Sequence, residues 1–72
     1  MNKLLLKSIM VLNGDTVSEL AKDLDISTQS VYNKMNEYQN SEFTQGEIAF
    51  IANRYQMTAE QIKEVFFTEK VS

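Results

Sequence analysis

The chain has 72 residues and carries seven Lys plus Arg against ten Asp plus Glu, a formal net charge of −3. It contains no Cys and no His, which excludes disulfides, thiolate or imidazole metal sites, and His- or Cys-based catalysis. A chain this short buries only about 60% of its unfolded surface and has no room for a second core, so one domain is expected over 1–72. The absence of Pro and the presence of only two Gly fit an all-α chain with short connections.

In chain order, a first helix is expected from about Asn2 to Leu12, with Leu5, Ile9 and Leu12 on its inner side and Leu6 and Met10 adjoining. Lys3 and Lys7 stand at i, i+4 on the wet side. The opening apolar run is broken by Lys7 and Ser8. It is too short to span a bilayer and has no small-residue cleavage site, so an amphipathic helix is expected, not a signal peptide. A cytoplasmic protein with no membrane partner is the expectation. Asn13-Gly14-Asp15 is a stop signal, with Gly14 free to take positive φ just past the helix end.

Thr16 opens a second helix, and Glu19 three residues later gives an S/T-x-x-E capping box. Val17, Leu20, Ala21 and Leu24 share one face. The pattern breaks at Asp25, Ile26 anchors the turn, and Ser27 caps a third helix that runs from Thr28 to about Glu37 or Tyr38. That helix turns Val31 and Met35 inward. Small Ala21 sits where two helices cross closely, as a helix-turn-helix over 16–36 requires. The polar stretch 38–42 leads to Phe43, which precedes the cap Thr44. Thr44 with Glu47 forms a second box, and Phe43 with Ile48 a hydrophobic staple. The fourth helix carries Ile48, Ile51, Ala52 and Tyr55 inward and ends near Gln56. Thr58 with Gln61 is a third box, and Met57 with Ile62 a second staple. The fifth helix carries Ile62, Val65 and Phe66, and the tail 68–72 is expected to fray. The sum is a compact five-helix, all-α domain.

The central stretch resembles the helix-turn-helix of phage Cro and repressor proteins. The residues carrying the likeness are Leu20, Ala21 and Leu24, the Ile26-Ser27 turn, Thr28 to Val31, then Lys34 and Met35. The later stretch FTQGEIAFIANRYQMTAEQIKEVFF also looks like the tail of small phage regulators of this class. The resemblance implies a lambda-repressor-like fold that binds a double-stranded DNA operator as a homodimer in a bacterial cytoplasm or nucleoid, without a cofactor. Two positions depart from the family: Asp25 stands where the turn usually carries Gly, and Glu37-Tyr38-Gln39-Asn40 replaces a loop that usually holds Gly and a basic residue.

A recognition helix presents its N-terminal residues to base edges. By motif position the resemblance implies base contacts from Thr28, Gln29, Ser30, Tyr32 and Asn33. Gln and Asn donate and accept at once, which suits adenine N6 and N7, while Thr28 and the Tyr32 ring suit a thymine methyl. The plainer alternative is an ordinary wet helix face, although such faces usually favour Lys and Glu. Candidate phosphate contacts are Thr16, Ser18, Lys22, Ser27, Lys34, Asn40, Ser41, Thr44 and Gln45, the last two at a helix N-terminus. Capping alone also accounts for Thr16 and Thr44, and the two roles are compatible.

Acidity weighs against DNA binding: Asp23, Asp25, Glu37 and Glu42 lie near the motif, offset in part by Lys3, Lys7, Lys22 and Lys34. Glu47, Glu60, Glu64 and Glu69 are expected on the far side. Phe66 and Phe67 are adjacent, so one helix face cannot bury both. With Phe50 and Val71 they form a candidate dimer interface, the alternative being that one Phe covers the core edge. No carboxylate, Lys, Arg or Tyr pair stands in a cleft-forming context and no Gly-rich phosphate loop exists, so an enzyme is not expected. A helix-turn-helix fold serving as a protein-binding module for another regulator is the alternative function.

Overall fold

The computed structural model describes residues 1–68, in which five α-helices and no strand occur. The helices are α1 (Lys3–Leu12), α2 (Val17–Leu24), α3 (Thr28–Met35), α4 (Gln45–Arg54) and α5 (Ala59–Phe66), with a single 3-10 turn at Tyr38–Asn40. The radius of gyration is 11.1 Å, close to the value of about 11 Å for a compact chain of this length. No helix among the described residues is long and apolar enough to cross a membrane. The tail positions 69–72, including Glu69 and Val71, lie outside the described residues.

Each helix begins on a side-chain cap. Asn2, Thr16, Ser27, Thr44 and Thr58 each accept a hydrogen bond from a backbone N–H in the first turn. The boxes at Thr44–Glu47 and Thr58–Gln61 are complete. The expected box at Thr16 is only half made. Thr16 Oγ1 takes the Glu19 N–H at 3.1 Å, but the Thr16 N–H goes to Asp15 Oδ1 at 3.0 Å. The adjacent carboxylate reaches that donor first and leaves Glu19 in solvent.

The core gathers Leu6, Ile9 and Met10 from α1, Leu20 and Ala21 from α2, Val31 and Met35 from α3, Phe43, Ile51 and Tyr55 around α4, and Val65 from α5. Leu5, Val17, Leu24, Ile26, Ile48, Met57 and Phe66 pack against it. Burial of this set supplies the main driving force, at about 1.5–3 kcal/mol for each fully buried large side chain. One inward expectation fails: Leu12 is 82% exposed. With Leu6 and Met10 turned to the core, α1 is rotated so that Leu12 lies at its rim, and the chain leaves the helix there.

The turns use left-handed backbone. Gly14 takes φ 65° just past α1, and Asp25 takes φ 60° between α2 and α3. Asp in this conformation is strained more than Gly, by an amount Gly's extra unfolded-state freedom partly offsets. Asp25→Gly is therefore expected to stabilise the chain by up to about 1 kcal/mol in urea unfolding. The helix α3 ends at Met35, earlier than its sequence implies, because Glu37, Gln39 and Asn40 all take positive φ.

A polar cluster ties the α1–α2 loop to α4. Arg54 donates Nε to Asp15 Oδ2 at 2.7 Å and Nη2 to Asp15 Oδ1 at 3.2 Å, and also pairs with Asp23 on α2. The Tyr55 hydroxyl donates to Asp15 Oδ2 at 2.5 Å. Hydrogen bonding from Arg54 outweighs burial and holds the Asp15 carboxyl down at about 2. Burial, aided by the neighbouring Asp15 carboxylate, pushes the Tyr55 hydroxyl up.

Candidate nucleic-acid interface

The exposed side of α3 is set by its inward residues. Val31 and Met35 are buried one turn apart, so the opposite face is presented to solvent. Gln29 and Asn33 stand on that face at i, i+4, and the Gln29 amide nitrogen donates to Asn33 Oδ1 at 2.9 Å. Thr28 and Tyr32 flank them and are exposed. Ser30 lies to the other side, where the Ser27 hydroxyl donates to its hydroxyl at 2.8 Å. Four of the five base-contact candidates thus form one continuous strip, and Ser30 is tied into the cap.

Sequence reasoning missed Asn36, which is exposed and continues the Gln29–Asn33 row at i+7. Lys3 crosses from α1 to donate to Asn36 Oδ1 at 2.6 Å. The i+7 spacing was a readable signal for Asn36. The approach of Lys3 was not readable, because it depends on how α1 docks.

Apart from Ser27, whose hydroxyl is engaged in the cap of α3, the candidates for phosphate contact divide between two places. Lys34 reaches Glu47 Oε1 at 2.7 Å, joining the end of α3 to the start of α4. This corrects the expectation that Glu47 lies on the far side. It also means that Lys34 is already paired. Glu47 is subject to burial, which raises its pKa, but the Lys34 ammonium and the Thr44 N–H outweigh that and leave it lowered. The Thr44 N–H is taken by Glu47 at 2.9 Å, so the first-turn N–H groups of Gln45 and Gly46 are the ones left for an anion. Asn40 is exposed and Ser41 half-buried in the strained loop beside them. Thr16, Ser18 and Lys22 are exposed at the other location, on α2, close to the C-terminal end of α4 through the Asp15–Arg54 pair. A ten-residue helix separates the two by about 15 Å.

Pairing changes the electrostatic picture. Of the four acids near the motif, Asp23 is held by Arg54, and Glu37 accepts from the Met1 amino group at 3.1 Å. Asp25 and Glu42 are exposed. Of the nearby cations, Lys7 and Lys22 are exposed, and Lys3 is engaged, among the described residues, by the neutral Asn36 amide.

At the C-terminal end, Phe66 packs edge-on against Phe43 with ring centroids 6.0 Å apart. Phe67 is 65% exposed. The two rings therefore divide, with Phe66 at the core edge and Phe67 outside. Phe50 is the other exposed phenylalanine ring. Both Phe66 and Phe67 line a cleft of about 210 Å³ together with Met1, Lys34, Phe43 and Ile48. Among the described residues no group of three or more acidic side chains is placed to hold a metal ion. No family model, no curated protein and no solved structure matches the chain.

Proposed function

We propose that the chain is a sequence-specific regulator of transcription that binds double-stranded DNA, with α2 and α3 acting as a helix-turn-helix and α3 entering the major groove. The observation that carries this reading is the pairing of exposed Gln29 with half-buried Asn33, hydrogen-bonded at 2.9 Å on the outward face of α3. One amide proton of Gln29 is engaged by Asn33. Gln29 Oε1 remains to accept and Asn33 Nδ2 to donate, which is the complement of adenine N6 and N7. Thr28 and Tyr32 beside them suit a thymine methyl.

Anchoring to the backbone falls to Lys22, Ser18 and Thr16 on one side, and to the N–H groups of Gln45 and Gly46 with Asn40 and Ser41 on the other. Lys34 joins only by leaving Glu47. With a net charge of −3, few phosphates are neutralised, so binding is weak in its non-specific part and falls as salt rises. As in the phage Cro and repressor proteins that the chain resembles, two copies on a palindromic operator would block or reposition polymerase. Half-sites would then lie about one DNA turn apart.

Selection of a randomised duplex library by the purified protein, at low and moderate salt, tests the reading. The expected result is an enriched palindrome containing A·T pairs, with half-site centres about 10 base pairs apart. Absence of enrichment at both salts, from protein shown folded by circular dichroism, would overturn it. The second reading, a helix-turn-helix that serves as a protein-binding module, is favoured by one observation, the exposed Phe67 ring beside the 210 Å³ cleft. On that reading Phe67→Asp abolishes function and leaves DNA retention unchanged.

A further inference from the structure

An ammonium and an amide meet at the C-terminal end of α3. Asn36 closes that helix with near-helical backbone and is exposed. On a helix of 3.6 residues per turn, Gln29, Asn33 and Asn36 lie within about 60° of arc, so all three face one way. Lys3 Nζ donates to Asn36 Oδ1 at 2.6 Å. The start of α1 is anchored where this becomes possible. The Asn2 N–H donates to the Val65 carbonyl at 2.8 Å, Asn2 Oδ1 caps the Leu5 N–H at 3.1 Å, and Leu6 is buried.

Hydrogen-bond accounting gives this pair a different character from Gln29–Asn33. An ammonium has three donors and no acceptor, and an amide has two donors on nitrogen with one acceptor oxygen. Lys3 therefore fixes the orientation of the Asn36 amide, oxygen toward the ammonium and nitrogen away. The ammonium also repels any further donor that approaches that oxygen. What the pair offers to a ligand is donors alone, from Asn36 Nδ2 and the remaining protons of Lys3.

We propose that Asn36 and Lys3 together read a guanine beside the adenine addressed by Gln29 and Asn33. In the major groove guanine shows two acceptors, N7 and O6. Adenine sets a donor beside its acceptor, cytosine shows a donor, and thymine sets a methyl beside its acceptor. Of the four, guanine alone matches a donor-only pair. A phosphate is the other acceptor-only group on a duplex, but Asn36 shares the row of Gln29 and Asn33, which on this reading faces base edges. From Asn33 to Asn36 the helix advances about 4.5 Å, and base pairs stack about 3.4 Å apart. The guanine thus falls about one to two base pairs from the adenine. The inference rests on the reading of α3 as the helix that enters the groove.

A plain tether between α1 and α3 also accounts for the 2.6 Å bond, since an ammonium is favourable at a helix C-terminus. That role makes no demand on the DNA sequence, and Lys3→Met separates the two. Without the ammonium, Asn36 offers a donor and an acceptor side by side, which suits adenine. The variant is expected to change which base is preferred.

The experiment is selection of a randomised duplex library by wild type, Lys3→Met and Asn36→Ala, followed by competition between duplexes that differ at that one base pair. Wild type is expected to favour guanine over adenine there by about ten- to a hundredfold. Lys3→Met is expected to move that column to adenine and leave the others in place, and Asn36→Ala to flatten it. Both positions are exposed, so circular dichroism should be unchanged. Three results would each overturn the proposal: an adenine column with no guanine beside it, a guanine column that survives Lys3→Met, or a Lys3→Met variant weakened equally on every base with a shallower salt dependence, the mark of a phosphate contact. In all three the adenine column remains, so the reading of α3 stands. Enrichment of no motif by wild type overturns that reading and this inference with it.

Discussion

Replacing Gln29 and Asn33 together with Ala is expected to remove the sequence preference of the chain on duplex DNA while its fold survives. Neither side chain contributes to the core, and substitutions at such positions usually change stability by less than about 0.5 kcal/mol. A bidentate amide–adenine contact discriminates by about 1–3 kcal/mol, so losing it relaxes preference by roughly ten- to a hundredfold. The 2.9 Å bond between the two amides adds a sharper expectation. Each residue orients the other, so either single variant forfeits most of the discrimination and the pair is non-additive. Competition binding of selected against scrambled duplex, for both singles and the double, measures all three terms. A double variant that still prefers the selected duplex removes α3 from base readout. Lys22→Ala is the contrast: it should weaken selected and scrambled duplex alike and flatten the salt dependence.

The second large effect concerns stability. Arg54→Met is expected to destabilise the chain by about 2–3 kcal/mol at pH 7, a large share of the roughly 4–11 kcal/mol available to 72 residues. The variant strands Asp15, whose side chain is only 10% exposed, and frees Asp23. The figure lies below that for a fully buried pair because Arg54 itself is 21% exposed. The pH dependence follows in sign. Asp15 is held at about 2, below its ordinary 3.8, so its contribution is complete above about pH 4 and is lost as pH falls toward 2. The shift bounds this contribution at roughly 2 kcal/mol. Glu47, also lowered, adds a loss of the same sign. Urea unfolding at pH 7, 4 and 2 should show wild type losing stability across the acid range and Arg54→Met losing less, because its Asp15 has lost the partner. An Arg54→Met midpoint equal to wild type at pH 7 would show that the cluster contributes nothing.

The loop after α3 is strained. Glu37, Gln39 and Asn40 adopt positive φ with no Gly among them, at a cost of about 1 kcal/mol or more each.

Local chemistry made the helices legible. A side-chain cap satisfies donors within three residues of itself, and a buried face repeats every three or four. Thr16, Ser27, Thr44 and Thr58 with their downstream apolar positions therefore announced α2 to α5, and Gly14 and Asp25 their turns. The outward set on α3 followed once Val31 and Met35 were placed inward. What depended on contact between distant elements was not legible. Nothing in the spacing of Lys34 and Glu47, or of Asp15 and Arg54, says that they meet. Those pairs arise from how α4 lies across α2 and α3, and they decide which charges are free to meet a phosphate. Glu19 lost its half of a capping box to Asp15 for the same reason, since Asp15 is fixed in place by Arg54 and Tyr55. The rotation of α1 was likewise a tertiary decision. Away from its Lys3–Lys7 edge the helix has several apolar faces it could bury, and only packing against α5 and the core chose Leu6, Ile9 and Met10, leaving Leu4, Val11 and Leu12 to the solvent.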